Sequence, residues 1–120
     1  MKFDWTQGTL AEGLRCYRAG EFFEAHEHWE IVWLALTEPE KTFLQALIQV
    51  AAAFHHYRRG NLRGTLSLLQ TALRRFENFP EHFGGIHLQS LRGDIRKSLE
   101  ILHAQGSSVD LDVPRIERSE

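Results

Sequence analysis

The 120-residue chain holds a single cysteine, Cys16, so no intramolecular disulfide can form and the fold cannot depend on such a staple. A cytoplasmic location is expected on that ground. Only three prolines punctuate the chain. No stretch sustains the period-two alternation of a half-buried strand, so a β-rich fold is excluded. Long apolar runs are also missing. The longest, FLQALIQVAAAFHHY, is broken by Gln45, Gln49, His55 and His56, whereas a bilayer span needs about 20 mainly apolar residues. The N-terminal MKFDWTQGTL carries Asp4 and no apolar segment, so no secretory leader is expected. Net charge is small, at −2. It is unevenly spread: residues 1–57 balance to −4, residues 58–103 to +4 and the tail 104–120 to −2. A nucleic-acid surface would call for a more basic domain with aromatics beside its arginines. Here the arginines lie among leucines, as on solvated faces of amphipathic helices, so neither nucleic acid nor membrane is an expected partner.

What the chain does have is helical periodicity, at 42% hydrophobic composition. Leu10, Leu14 and Tyr17 predict a first helix over about 5–19, with Gly20 at the position following its C-cap. A second helix is predicted over about 21–36, and Thr37-Glu38-Pro39 ends it. A third runs over about 39–59 and stops at Gly60-Asn61. The fourth carries Leu62, Leu66, Leu69, Leu73 and Phe76 and ends before Pro80. PEHFGG reads as a loop, and Leu88, Leu91, Ile95, Leu99 and Leu102 form a fifth helix. Offset by 40 residues, YRAGEFFEAHEHW lies over YRRGNLRGTLSLL, matching Tyr17 with Tyr57, Arg18 with Arg58 and Gly20 with Gly60. Tetratricopeptide hairpins repeat at about 34 residues, and two units are too few for a solenoid. The expected fold is all-α: a compact antiparallel bundle of about five helices built on two helix-turn-helix hairpins. Residues 1–105 form one domain on this reading, and 106–120 an extended or partly disordered tail.

The chemistry-bearing residues concentrate in GEFFEAHEHWEIVWL. On a wheel at about 100° per residue, Phe22, Trp29, Trp33 and Leu36 define an apolar face. His26 falls within that face, Glu30 follows one turn later, and Glu27 lies at the edge. Glu24 and His28 fall opposite and are read as solvated. The third helix is apolar almost all round, except for a stripe of Gln45, Gln49 and His56. Buried amides and imidazoles need partners, so the His26/Glu27/Glu30 edge is expected to face that stripe. Three functions could follow from such a cluster. His26, Glu30 and His56, with Glu27, are ligand types for a divalent metal, although HEHWE is not the H-E-x-x-H zinc motif. A carboxyl beside a histidine could also serve as an acid/base pair. The plainest reading is a buried polar network that fixes helix register, in a non-catalytic interaction or scaffold module that binds protein, self or other. Metal-dependent or acid/base catalysis at the cluster is the alternative, and no cofactor is expected. Phe3, Trp5, Phe79 and Phe83 are candidate exposed apolar groups, although capping the bundle's ends is the commoner role for such residues. His55, His82, His87 and His103 are assigned no role.

GEFFEAHEHWEIVW followed by FLQALIQVAAAFHHYRRGNLRG resembles the bacterial and archaeal "domain of unknown function 309" family, over about Leu14 to Leu73, with a weaker echo in FGGIHLQSL. The resemblance implies a compact bundle of about five helices. It implies no activity and carries over no catalytic residue.

Overall fold

The computed structural model describes residues 3–106 and 110–119. Five helices account for most of it: α1 Gly8–Arg18, α2 Phe22–Trp33, α3 Glu40–Arg58, α4 Leu62–Phe76 and α5 Leu88–Gln105. Each packs on the next along the chain, and the whole spans 40 × 27 × 23 Å. The protein is an all-α bundle, with α3 at its centre. Phe43, Leu44, Leu47, Val50, Ala51 and Phe54 are all at most 1% exposed. With Ala46, Ile48 and Ala53, also buried, these positions cover about 220° of arc, so neighbours cover more than half of α3's circumference. Gln45, Gln49 and His56 on the remainder are half-buried. Each large apolar side chain so buried contributes about 1.5–3 kcal/mol of transfer free energy.

The two hairpins turn in the same way. At the end of α1, Gly20 N–H donates to Tyr17 O at 3.1 Å and Glu21 N–H to Cys16 O at 2.8 Å. At the end of α3, Gly60 N–H donates to Tyr57 O at 3.1 Å and Asn61 N–H to His56 O at 2.9 Å. This bond pair is the Schellman closure, and it needs a left-handed residue. Gly20 and Gly60 supply it, with φ of 80° and 75°. The 40-residue repeat is therefore structural as well as textual.

Two details depart from the expectations, and a third concerns the tail. α2 ends at Trp33 rather than near 36. There the chain tightens into i→i−3 bonds, Ala35 N–H to Val32 O and Leu36 N–H to Trp33 O, before Pro39. PEHFGG is not a plain loop: His82–Phe83 (β1) and Ile86–His87 (β2) pair antiparallel around Gly84-Gly85, whose φ values of 60° and 78° fit a two-residue hairpin turn. Residues 110–119 run extended across the bundle and are tied to it. Tyr17 Oη donates to Pro114 O at 2.6 Å and Arg18 Nη2 to Ile116 O at 2.8 Å. His87 N–H donates to Glu117 O, and Ser119 N–H to Gly85 O. Ile116 is 2% exposed. Residues 107–109 of the predicted tail lie outside the described residues.

The candidate exposed aromatics close one end of the bundle instead. Phe3 and Trp5 are buried, and Trp5 Nε1 donates to Gly84 O at 2.7 Å. Phe3, Phe79 and Phe83 ring Phe43 at centroid distances of 5.2, 6.1 and 5.1 Å. Arg92 is an exception to the solvated arginines. It is 9% exposed, and Nη1 donates to the carbonyls of Phe76 and Phe79 at the end of α4.

Candidate functional site

α2 buries Phe22, Ala25 and Trp29 on one side. Trp29 is sealed, with Nε1 donating to Leu10 O at 3.1 Å. Its indole lies so close to Gly13 that a Cβ there would fall 2.3 Å from Nε1, so α1 can approach only because residue 13 is glycine.

At the flank of this face His26 Nε2 lies 3.3 Å from Glu30 Oε1, with the side chains 28% and 53% exposed. The (i, i+4) pairing read from the wheel is thus present, but at a half-exposed edge. Glu27 points to solvent. Residue 27 sits about 100° further round than residue 26, and that rotation carries it off the core side. On α3, Gln49 is half-buried, as is Gln45, which lines a cleft with Trp33, Lys41 and Arg75. His56 serves the glycine turn instead of α2: its Nδ1 is 3.1 Å from Asn61 Nδ2. The neighbouring His55, which had no assigned role, is the α3 histidine that reaches α2. Phe23 lies between the rings of His26 and His55, at 5.8 and 5.4 Å. One step of helix rotation separates the two histidines and sends them to different neighbours.

Two buried side-chain atoms among the described residues have no hydrogen-bond partner, His26 Nδ1 and Gln49 Oε1. One is on α2 and one on α3, both within the predicted cluster. Leaving such an atom unpaired costs about 1–3 kcal/mol. A network that fixed helix register would thus have these two atoms without a partner from the protein itself.

The ligand atoms of His26, Glu30 and His56 do not converge. Among the described residues the one group of three whose ligand atoms all lie within 4.8 Å of each other is Glu12, Cys16 and His28. His28, read as solvated, is half-buried there. Arg15 competes for that place, with Nη2 2.6 Å from Glu12 Oε1 and 3.5 Å from Cys16 Sγ. It holds the Glu12 carboxyl below the usual carboxylate range. Burial pushes the Cys16 thiol up, away from the thiolate a metal needs.

The other side of α2 is what sequence reasoning passed over. Among the described residues the exposed large apolar side chains are Phe23 at 46%, Ile31 at 62% and Leu34 at 73%. Together with exposed Glu27 and Glu30 they occupy about 100° of arc, opposite the core face. The same positions in the second hairpin, on α4, are Arg63, Ser67, Gln70, Thr71 and Arg74. Repeat-aligned inner positions stay buried in both: Ala25 with Thr65, Trp29 with Leu69, Leu36 with Phe76. The signal was available in the wheel, as apolar residues on the polar face.

A family model described as "Domain of unknown function (DUF309)" matches residues 10–68. An uncharacterized protein of Aquifex aeolicus (strain VF5) is 36% identical over 92 residues, covering 76% of this chain and 26% of the relative. The chain thus spans about a quarter of the length of that curated relative. No helix among the described residues is long and apolar enough to cross a membrane.

Proposed function

Since the chain belongs to the DUF309 family, whose description names no activity, we propose from the site itself that it is a non-catalytic helical interaction module, and that its contact face is the outer face of α2. One observation carries this: Phe23, Ile31 and Leu34, the exposed large apolar groups, share one face of one helix. Single exposed apolar residues need no explanation, whereas three on one helix face, interleaved with glutamates, fit a contact surface.

The partner's chemistry follows from what surrounds the stripe. α2 carries Glu24, Glu27 and Glu30 and no lysine or arginine. A second copy docked α2 to α2 would oppose these glutamates to their own kind. The α4 face offers cations but no exposed large apolar group to meet the stripe. An anionic membrane would be repelled. The occupant that fits is another protein's amphipathic helix, with an apolar stripe flanked by Lys or Arg. The single buried thiol supports a cytoplasmic setting, and no cofactor enters this reading.

The test is an NMR titration with a synthetic helix bearing a leucine stripe flanked by lysines. Shifts should centre on Phe23, Glu27, Ile31 and Leu34 and weaken as salt rises. The double variant Ile31→Thr/Leu34→Arg, which installs the α4 residues, should abolish them while changing stability by no more than about 0.5 kcal/mol per site. Equal binding by that variant refutes the proposal. So does a dimer of the unmodified chain that Leu34→Arg dissociates, which would assign the face to self-association.

A second reading is favoured by the His26–Glu30 contact and the unpaired His26 Nδ1: acid/base or metal-assisted chemistry at the α2–α3 seam. Steady binding of Zn(II) that is lost in Glu30→Gln would support it over the first.

A further inference from the structure

A cleft of about 450 Å³ opens between the first glycine turn and the extended C-terminal segment. That volume falls within the range of small-molecule sites, about 300–1,000 Å³. Three arginines line it, each from a different part of the chain: Arg18 at the end of α1, Arg58 at the end of α3, and Arg115 on the C-terminal segment. One carboxylate, Glu117, offsets them. The remaining lining is largely apolar, with Tyr17, Phe22, Val113 and Ile116.

Basic residues at helix C-termini have an ordinary role in opposing the helix dipole. That accounts for Arg18 and Arg58 being basic, but not for their convergence with Arg115. Nor does it account for how they are held. Arg58 Nη1 donates to Gly20 O at 2.6 Å, and its guanidinium carbon stands 4.7 Å over the Phe22 ring. Arg18 Nη2 donates to Ile116 O at 2.8 Å. The Arg18 and Arg58 guanidiniums are thus each held by one carbonyl bond, whereas Arg115 Nε lies 3.9 Å from both Asp94 Oδ2 and Glu117 Oε1 at an exposed position. A guanidinium has five N–H donors in a rigid fork, so each keeps donors for a ligand. The Arg18 and Arg58 forks are oriented before any ligand arrives, which reduces the entropy lost on binding. The repeat sharpens this. Asn61 caps α4 by accepting from Gly64 N–H at 2.9 Å, whereas Glu21 at the matching place gives α2 no side-chain cap. The start of α2, which borders the cleft, is thus without the side-chain cap that α4 has.

We infer that this cleft binds a small molecule with an oxyanion head, phosphate or carboxylate, on an apolar body. The head is held by the guanidinium forks, and the body lies against Phe22, Val113 and Ile116. This inference does not rest on the α2 contact face and can stand or fall separately.

The test titrates the intact chain, at constant ionic strength, with inorganic phosphate, phenyl phosphate and benzoate. Phenyl phosphate should bind saturably and shift the amides of Gly20, Phe22, Val113 and Ile116. Inorganic phosphate should bind about tenfold more weakly for want of the apolar contact. Benzoate shows whether the head must be a phosphate: binding within a few-fold of phenyl phosphate means that either oxyanion serves. Arg18→Gln and Arg115→Gln should each weaken phenyl phosphate about tenfold. Because Arg18 also holds the C-terminal segment, Arg115→Gln is the decisive variant. Its side chain is 75% exposed, so melting temperature should not move. Arg58→Lys keeps the charge, loses the fork, and should weaken binding to a similar degree. No saturable binding of phenyl phosphate or benzoate at tens of millimolar overturns the inference. Equal affinity for inorganic and phenyl phosphate, or indifference to Arg115→Gln, also overturns it and reduces the cleft to an adventitious anion site.

Discussion

α2 and α4 are the second helices of two hairpins that close through the same Schellman bonds, at Gly20 and Gly60. Their inner faces are built alike, with Trp29 and Leu69 both fully buried. Their outer faces differ at every matched position: Phe23, Ile31 and Leu34 stand where α4 has Arg63, Thr71 and Arg74. α4 shows what this fold needs of a helix that meets only water. Whatever α2 carries beyond that is not required by the hairpin, and the proposed contact face would account for it. The inner flank differs as well. His26, with its unpaired Nδ1, occupies the place of Leu66.

The largest expected effect tests whether the inner faces are as equivalent as they look. Trp29→Ala should destabilise the protein by about 3–5 kcal/mol, and Leu69→Ala by about 2–5 kcal/mol, in urea unfolding. A loss under about 1 kcal/mol at Trp29 alone would mean that α1 and α2 form a looser unit than α3 and α4. The second effect is smaller and opposite in sign. His26→Leu, which copies the repeat partner, removes an unpaired buried nitrogen and the half-exposed contact with Glu30. It should raise stability by about 1 kcal/mol. A comparable loss instead would show that the imidazole holds α2 to α3, and the register reading of the polar cluster would revive. The third concerns helix starts. Glu38 accepts from Thr42 Oγ1 and N–H, and Asp4 from Thr6 and Gln7. These bonds hold both carboxyls below the usual carboxylate range. A folded pKa depressed below the unfolded one gives stabilisation that is present above the unfolded value and lost as pH falls through the folded one. Unfolding midpoints should therefore drop between about pH 5 and 3, and drop less in Glu38→Gln. Asn61, which caps α4, has no such titration, so a variant whose acid sensitivity equals that of the unmodified chain would place the loss elsewhere.

Helices and turns were legible because their signals are local: 3.6-residue spacing of leucines, and two glycines at positions that demand positive φ. The (i, i+4) geometry likewise foretold the His26–Glu30 contact. What stayed hidden depends on distant chain. Nothing within 110–119 says that Pro114 O will meet Tyr17 Oη, or that Ile116 will be covered. Arg92 looks like any surface arginine until its bonds to Phe76 O and Phe79 O are seen. Whether His55 or His56 turns toward α2 depends on helix phase relative to a neighbour, which one sequence does not fix. Phe3 and Trp5 could be assigned to either of two roles until Phe43 and Gly84 were in place around them.

The C-terminal segment has one more consequence, for how such a domain can be wired. Phe3, Asp4 and Trp5 line a single recess together with Gly85, Arg118 and Ser119, so the two ends of the described fold arrive side by side at the small hairpin. A domain whose strands of chain come in and leave at one point can be spliced into a surface loop of a host without stretching either. It behaves as a plug with both leads on the same side.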